Sequence, residues 1–405
     1  MKRITDRHIT ALRRGVLITA GTIMLLCASC RDGYDTTGGS EDPGPKQPIM
    51  LGMARQGTRG LVGSTGELAL LCNSNSGQAI GVYAYKKTAT GAHGMMFNNL
   101  ELTSVTDDAN PDVNSDWRWT YQPVEYWDRD PRVSYQFMAY WPRMGDNDPG
   151  DGGTYVSEDG QRVFHMHNIP NWQDTTDVNC TDYLSAQVRG QYRSEDTDDL
   201  ASLAFGDGYV KLRMRHILSK LVVEGFYVGM EDKPIKIDSI KIIGASIPLT
   251  DGVSLYDEPF DGQANPSYTI SRGSVPHVLY KKESPAADGL SLDGTYYDEE
   301  TAPADTITKT ICGWLVVPAT GWGDITLRIT YTIGNSSASY TSDVKGISFD
   351  SVDDNGDERS GEMLPGGVYI LTLKFDSTSG GIDVQAVWVK DWQQRPMIQN
   401  IVYNW

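Results

Sequence analysis

Val210-Lys211-Leu212-Arg213-Met214-Arg215-His216-Ile217-Leu218-Ser219-Lys220-Leu221 sets apolar side chains at 210, 212 and 214 against cations at 211, 213 and 215. Alternation with a period of two marks a strand with one face in a core and the other in water. The pattern recurs outward from this stretch. Residues 79–85 (AIGVYAY) read as a strand, and Trp117, Trp119 and Tyr121 share one face of another. Residues 133–140 alternate Val133, Tyr135, Phe137 and Ala139 against Ser134, Gln136 and Met138. Further runs lie at 235–243, 311–317, 324–333, 368–375 and 382–389, separated by breakers rich in Gly, Asp, Asn and Pro. No long helical period interrupts them. The chain therefore reads as all-β, with many short strands arranged as two tandem antiparallel β-sandwich domains.

The composition agrees. In 405 residues there are 42 Gly, 21 Tyr and 10 Trp, which suits short strands joined by tight turns. The apolar share of 39% and charged share of 22% are those of a folded chain. With 35 basic against 53 acidic residues, the net charge of −18 argues against nucleic acid as a partner, because phosphate binding needs clustered cations. Only the N-terminus approaches membrane-span length, so a polytopic membrane protein is excluded.

That N-terminus reads as an address. Lys2, Arg3, Arg7, Arg13 and Arg14 precede an apolar run from Gly15 to Leu26 and the small residues Ala28-Ser29. This is a secretory signal over residues 1–29. Small residues before Cys30 resemble a bacterial lipobox, which implies cleavage there and acylation (palmitate among the chains) of the Cys30 thiol. Cys27 stands where the lipobox usually has Leu. Cleavage removes five cations and one acid, leaving 30 basic and 52 acidic residues, a net of −22. Such a chain does not cling to anionic lipid, so attachment to the outer membrane would rest on the acyl chains. Residues 30–47 read as a lipidated flexible tether, 48–205 as the N-terminal sandwich and 206–405 as the C-terminal one with a terminal strand. The boundary is expected within 192–208, around the acidic run Ser194-Glu195-Asp196-Thr197-Asp198-Asp199. Turn-rich stretches at 143–160 and 251–302 read as insertions or decorated loops. Cys72, Cys180 and Cys312 lie far apart in strand-like settings and read as buried free thiols rather than a disulfide scaffold.

Chemistry-bearing patterns are sparse. The sequence carries no G-x-S-x-G, H-E-x-x-H, phosphate-binding loop or dinucleotide fingerprint, and we expect no catalytic activity and no cofactor. His165 and His167 share a strand face without a nameable third ligand, which favours a solvated face over a metal site. Asp353, Asn355, Gly356 and Glu362 fit a calcium loop starting at Ser351, but Ser replaces the first Asp, so a solvated acidic turn is preferred. Asp146, Asp148 and Asp151 are read the same way. The aromatics Trp117, Trp119, Tyr121, Tyr126, Trp127, Tyr140 and Trp141 suit a sandwich core. A sugar-stacking platform is the rival reading, and it would make the chain a surface glycan-binding lipoprotein.

Taken in order, several segments resemble the fimbrillin family, the subunits of type V pili. They are residues 79–85; Tyr126-Trp127 with Phe137-Met138-Ala139-Tyr140-Trp141-Pro142; Asp182-Tyr183-Leu184-Ser185-Ala186; the stretch quoted first; Leu364-Pro365-Gly366-Gly367-Val368-Tyr369; and Val389-Lys390-Asp391-Trp392. The resemblance implies transthyretin-like sandwiches, a lipoprotein precursor at the cell surface, a role as fimbrial subunit or pilus-associated adhesin, and assembly with other pilus subunits by strand exchange. Host or bacterial surface ligands are further expected partners. In that scheme a protease cuts after an Arg, an N-terminal strand leaves, and a strand from another subunit fills the groove. Residues 48–54, with Ile49, Leu51 and Met53 on one face, fit the displaced strand; an ordinary first strand fits them too. Arg55 and Arg59 follow as cut sites, with Arg59 preferred. Residues 397–405, with Met397, Ile401, Tyr403 and Trp405 sharing a face, fit a donor strand, or simply the last strand of the second domain.

Overall fold

Alternation in the sequence becomes paired strands almost throughout. The computed structural model describes residues 47–391, apart from 54–64, 74–76, 89, 92, 108, 112–116, 129, 131, 145–153, 157–162, 168, 178–179, 192–208, 244–246, 257–265, 274–275, 297–306 and 353–356. Among the described residues the only helix is α1 (Thr65–Leu71); the rest of the regular structure is strand. In the first half, β2 (Ile80–Lys87), β3 (His93–Val105), β4 (Arg118–Thr120), β5 (Ser134–Trp141), β9 (Leu184–Gln191) and β11 (Arg215–His216) form an antiparallel sheet in the order β11-β9-β5-β2-β3-β4. Beside it, β1 (Met50–Met53) and β10 (Tyr209–Leu212) form a short parallel pair.

In the second half, β8 (Trp172–Asp174), β12 (Ser219–Val228), β18 (Lys309–Val316), β23 (Gly367–Asp376) and β24 (Ile382–Asp391) lie in the order β24-β23-β12-β18-β8. Across a shared core sit β13 (Ile235–Ile243), β16 (His277–Lys281), β19 (Ile325–Ile333) and β20 (Ser339–Ile347), in the order β16-β13-β19-β20, with β17 (Leu290–Ser291) against β13. This pair of sheets is a β-sandwich. A third sheet joins β6 (Thr154–Val156), β7 (Val163–His167), β14 (Ile247–Tyr256) and β15 (Pro266–Gly273), and a small hairpin joins β21 (Ser351–Val352) to β22 (Glu358–Arg359). The stretch 251–302, expected as loop, thus carries most of β14 together with β15, β16 and β17.

Local sequence explains the register in places. In β13 the side chains of Ile235 and Ile237 are buried, then those of Ile240 and Ile242. The skipped beat is a bulge between Ile237 and Ser239, which absorbs one extra residue and restores the inward face. Gly81 of β2 pairs directly with Tyr140 of β5, and a Cβ at 81 would collide with the Tyr140 ring. Glycine is needed here for close approach, because Tyr140 is 1% exposed and its hydroxyl donates to Asn99 Oδ1 at 2.7 Å.

Strand β5 is buried on both faces. Val133, Tyr135, Phe137, Ala139 and Trp141 enter the core shared with β1 and β10. Met138 and Tyr140 enter another core with Tyr83, Met166, Ile217, Val253 and Leu315, which come from both halves of the chain. Strand pairing also crosses residue 205 in both directions. Strands β7 and β8 precede it and pair with β14 and β18, while β10 and β11 follow it and pair with β1 and β9. The halves are joined by shared apolar packing and shared strands.

The run from Val210 to His216, read as one strand, is two, and a third strand opens at Ser219. Strand β10 pairs with β1, β11 with β9, and β12 with β18 and β23. Burial still alternates across the first break, with Val210, Leu212, Met214 and His216 inside. Facing follows side-chain chemistry; the pairing partner is set by distant strands. At the second break Ile217 N–H donates to Tyr183 O at 2.8 Å, and His216 Nδ1 lies 2.8 Å from Asp182 Oδ2 with both side chains 1% exposed. Buried polar groups are costly unless matched, so this pair ties β11 to the start of β9. Replacing Asp182 by Ala should lower unfolding free energy by about 3 kcal/mol in urea titration, because the imidazole stays buried without its carboxylate. The double change Asp182→Leu, His216→Phe should recover part of that loss.

Candidate functional site: the slot that holds the first strand

Residues 47–53 alternate as a strand must. Ile49 and Leu51 are each 2% exposed, Met53 is half-buried, and Met50 faces solvent at 41%. Along one edge, Met50, Leu51, Gly52 and Met53 pair in parallel with Tyr209, Val210, Lys211 and Leu212. Along the other, Ile49 N–H donates to Glu125 O at 2.9 Å, and Trp127 N–H donates to Gln47 O at 3.0 Å. Pro48 and Tyr126 form an antiparallel bridge between these bonds, and Tyr121 O–H donates to Ile49 O at 2.7 Å. The first strand therefore closes a gap between β10 and the segment 121–127.

Below it, Ile49 and Leu51 pack in one cluster with Leu68 and Cys72 from around α1, Phe97, Trp127, Val210 and Leu212. Burying these two side chains and part of Met53 contributes roughly 4–8 kcal/mol. Ordering the backbone of five residues costs about 1–2 kcal/mol each. The two are of similar size, so covalent attachment through residues 54–64 has a large part in keeping the slot filled. Burial pushes the Cys72 thiol up to about 12, which leaves it unreactive beneath the slot.

An open cleft of about 450 Å³ adjoins the slot, lined by Lys86, Thr88, Gly94, Met95, Met96, Glu125 and Tyr126. Lys86 is paired with Asp128. Burial pushes the Asp128 carboxyl up, but the Lys86 ammonium and the Asp130 backbone N–H outweigh it and hold it below the usual carboxylate range. Among the described residues, no three His, Cys, Asp or Glu side chains are grouped to hold a metal ion.

The structure divides the expected aromatic cluster. Trp127, Tyr140 and Trp141 are 5% exposed or less, Trp119 and Tyr121 pack against the first core, and Tyr126 alone of that core-side group is open, at 47%. Trp117 is half-buried. Most of these rings are core and form no common platform. Cys72 and Cys312 are buried free thiols, and Cys180 is free and half-buried. In the acidic turn, Asp350 Oδ1 accepts from Ser348 Oγ, Ser360 Oγ and Gly361 N–H, which closes the loop around β21 and β22. Residues 353–356 lie outside the described residues, as do Asp146, Asp148, Asp151, Cys30, Arg55, Arg59 and the segment with Met397, Ile401, Tyr403 and Trp405; so do the side chains of His165 and His167.

Sequence reading missed two features here. One is the His216–Asp182 pair, whose members stand in two separate family-like segments. The other is Tyr209: a Cβ built at Gly52 would fall among the Oη, Cζ and Cε1 atoms of its ring. A glycine inside an otherwise apolar strand was the available signal.

A family model described as fimbrillin-like matches residues 72–392. A fimbrial protein from Bacteroides vulgatus is 16% identical, with 86% of this chain and 100% of that one covered and a TM-score of 0.51. A candidate cell adhesion protein from Bacteroides uniformis is also 16% identical, over 86% and 98%, with a TM-score of 0.42. The fimbrial anchor protein Mfa2 from Porphyromonas gingivalis is 13% identical, over 86% and 99%, with a TM-score of 0.27. The fold likeness rests on the first of these. No curated protein matches the sequence.

If Ile49 and Leu51 complete this core, Ile49→Ala and Leu51→Ala should each cost about 2–4 kcal/mol in chemical denaturation. Met50→Ala, on the outer face, should stay within about 0.5 kcal/mol.

Proposed function

The chain belongs to the fimbrillin-like family, and on that premise we propose that it is a surface-exposed fimbrial subunit or pilus-associated adhesin that assembles by exchanging its first strand. Its work is mechanical: subunits are joined by completing one another's sheets and cores. The precursor is exported as a lipoprotein acylated at Cys30, which holds it at the outer membrane. Cleavage after Arg59, or after Arg55, frees residues 48–54 from the body of the chain. The vacated slot lies between β10 and the segment 121–127, with unpaired backbone on both edges and apolar space where Ile49 and Leu51 stood. An extended strand from another subunit enters it. Residues 397–405, with Met397, Ile401, Tyr403 and Trp405 on one face, serve as donor strand towards a neighbouring subunit.

The observation that carries this reading is that Ile49 and Leu51, each 2% exposed, fill a core built by the rest of the half. They do so from a segment whose covalent link to α1 and the strands after it runs through residues 54–64. N-terminal sequencing of protein assembled on the cell surface tests it. Assembled copies should begin at Gly60, and Arg59→Ala should abolish their assembly. Assembled copies that all begin at acylated Cys30 would contradict strand release and identify a retained anchor instead.

A further inference from the structure

The slot carries a chemical preference that its alternation does not explain. In the parallel pair, Val210 and Leu212 face the core with Leu51 and Met53. The outer row holds Met50 and Gly52 beside Tyr209 and Lys211. Tyr209 stands opposite Met50, yet its ring lies diagonally across the chain over Gly52. Any side chain at 52 would overlap that ring. Tyr209 is half-buried, and its ring must swing off the strand to admit a side chain at 52. On the opposite edge Tyr121 holds the carbonyl of Ile49, which fixes where along the slot an occupant sits.

We propose that Tyr209 makes the slot selective for glycine: the segment that takes the first strand's place carries apolar residues facing Val210 and Leu212 and a glycine at the register position opposite Lys211. This rests on the reading that the first strand is exchanged. It also specifies the partner. Residues 392–405 contain no glycine, so in no register does that segment satisfy the slot while Tyr209 keeps its place. The occupant is a glycine-bearing extended segment of another subunit, and residues 392–405 of a second copy are disfavoured as donor.

Two measurements test this. The first is a double-mutant cycle on the uncut full chain. Gly52→Val should lower the melting temperature in the wild-type background, and the loss should largely vanish with Tyr209→Ala, because valine suits a strand once the ring is gone. An equal loss in both backgrounds would overturn the proposal. The second uses the full chain with one cleavable site placed within 54–64. After cutting, labelled peptides are offered: residues 47–53, the same peptide with Gly52→Val, and residues 397–405. The native peptide should exchange in, and the other two should bind at least about tenfold more weakly, recovering on Tyr209→Ala. Equal binding of all three to the wild type would overturn glycine selection while leaving exchange intact. Failure of the native peptide to exchange would instead overturn the strand-release reading, and the slot's partner specificity with it.

Discussion

Ile49 and Leu51, with Met53 beside them, reach a core built mainly by residues distant in the sequence. Its walls are β2, β3, β5, β9 and β10, its floor includes Leu68 and Cys72, and its last gap closes only when the first strand lies between β10 and the segment 121–127. A strand held on both edges is internal in all but length. Removing it would expose apolar side chains and two rows of backbone groups together, and buried backbone groups demand partners. The same geometry that makes the first strand necessary makes its replacement by another strand favourable. This is why the proposed function is placed in the slot rather than in any cluster of ionisable groups.

The slot sits beside the six-stranded sheet, whose centre, β2 and β5, is packed on both faces. The second cover is built from Met166 of β7 with Ile217, Val253 and Leu315 from beyond residue 205. Strands cross between the halves in both directions, and the His216–Asp182 pair closes the junction where β10 passes into β11. Strand β10, which forms one edge of the slot, continues within a few residues into β12, the middle of the C-terminal sandwich. In an assembled filament, pull on a strand in the slot would thus pass to the second sandwich along one short covalent path and through packed side chains. A subunit that bears load benefits from such an arrangement, because interdigitated cores deform little.

Much of this was legible in the sequence, and the exceptions share a cause. The all-β class and the strands read at 79–85, 235–243, 324–333 and 368–375 follow from local alternation, which reports which way a side chain faces. The inward set Ile49, Leu51 and Met53 was legible for the same reason. Pairing is a different matter. Nothing local in Val210 to His216 tells that its first half meets residues 50–53 and its end meets 184–185, since the partners are set by sheets assembled from distant segments. The covered outer face of β5 was hidden likewise, because its alternation of large residues fits burial on one side or both. The Tyr209 ring over Gly52 and the His216–Asp182 contact are products of that long-range pairing, and neither has a one-dimensional signature beyond a stray glycine and two polar residues in apolar surroundings.

The central claim is that the first strand is a replaceable part of the N-terminal core. Hydrogen–deuterium exchange at the amides of Val210, Leu212 and Trp127, followed before and after a single cut within residues 54–64, addresses it most directly. These amides should be protected in the intact chain, lose protection once the cut strand departs, and regain it when a fitting strand is supplied. Protection that persists unchanged after the cut strand has been washed away would mean that the core closes without it, and would contradict the account.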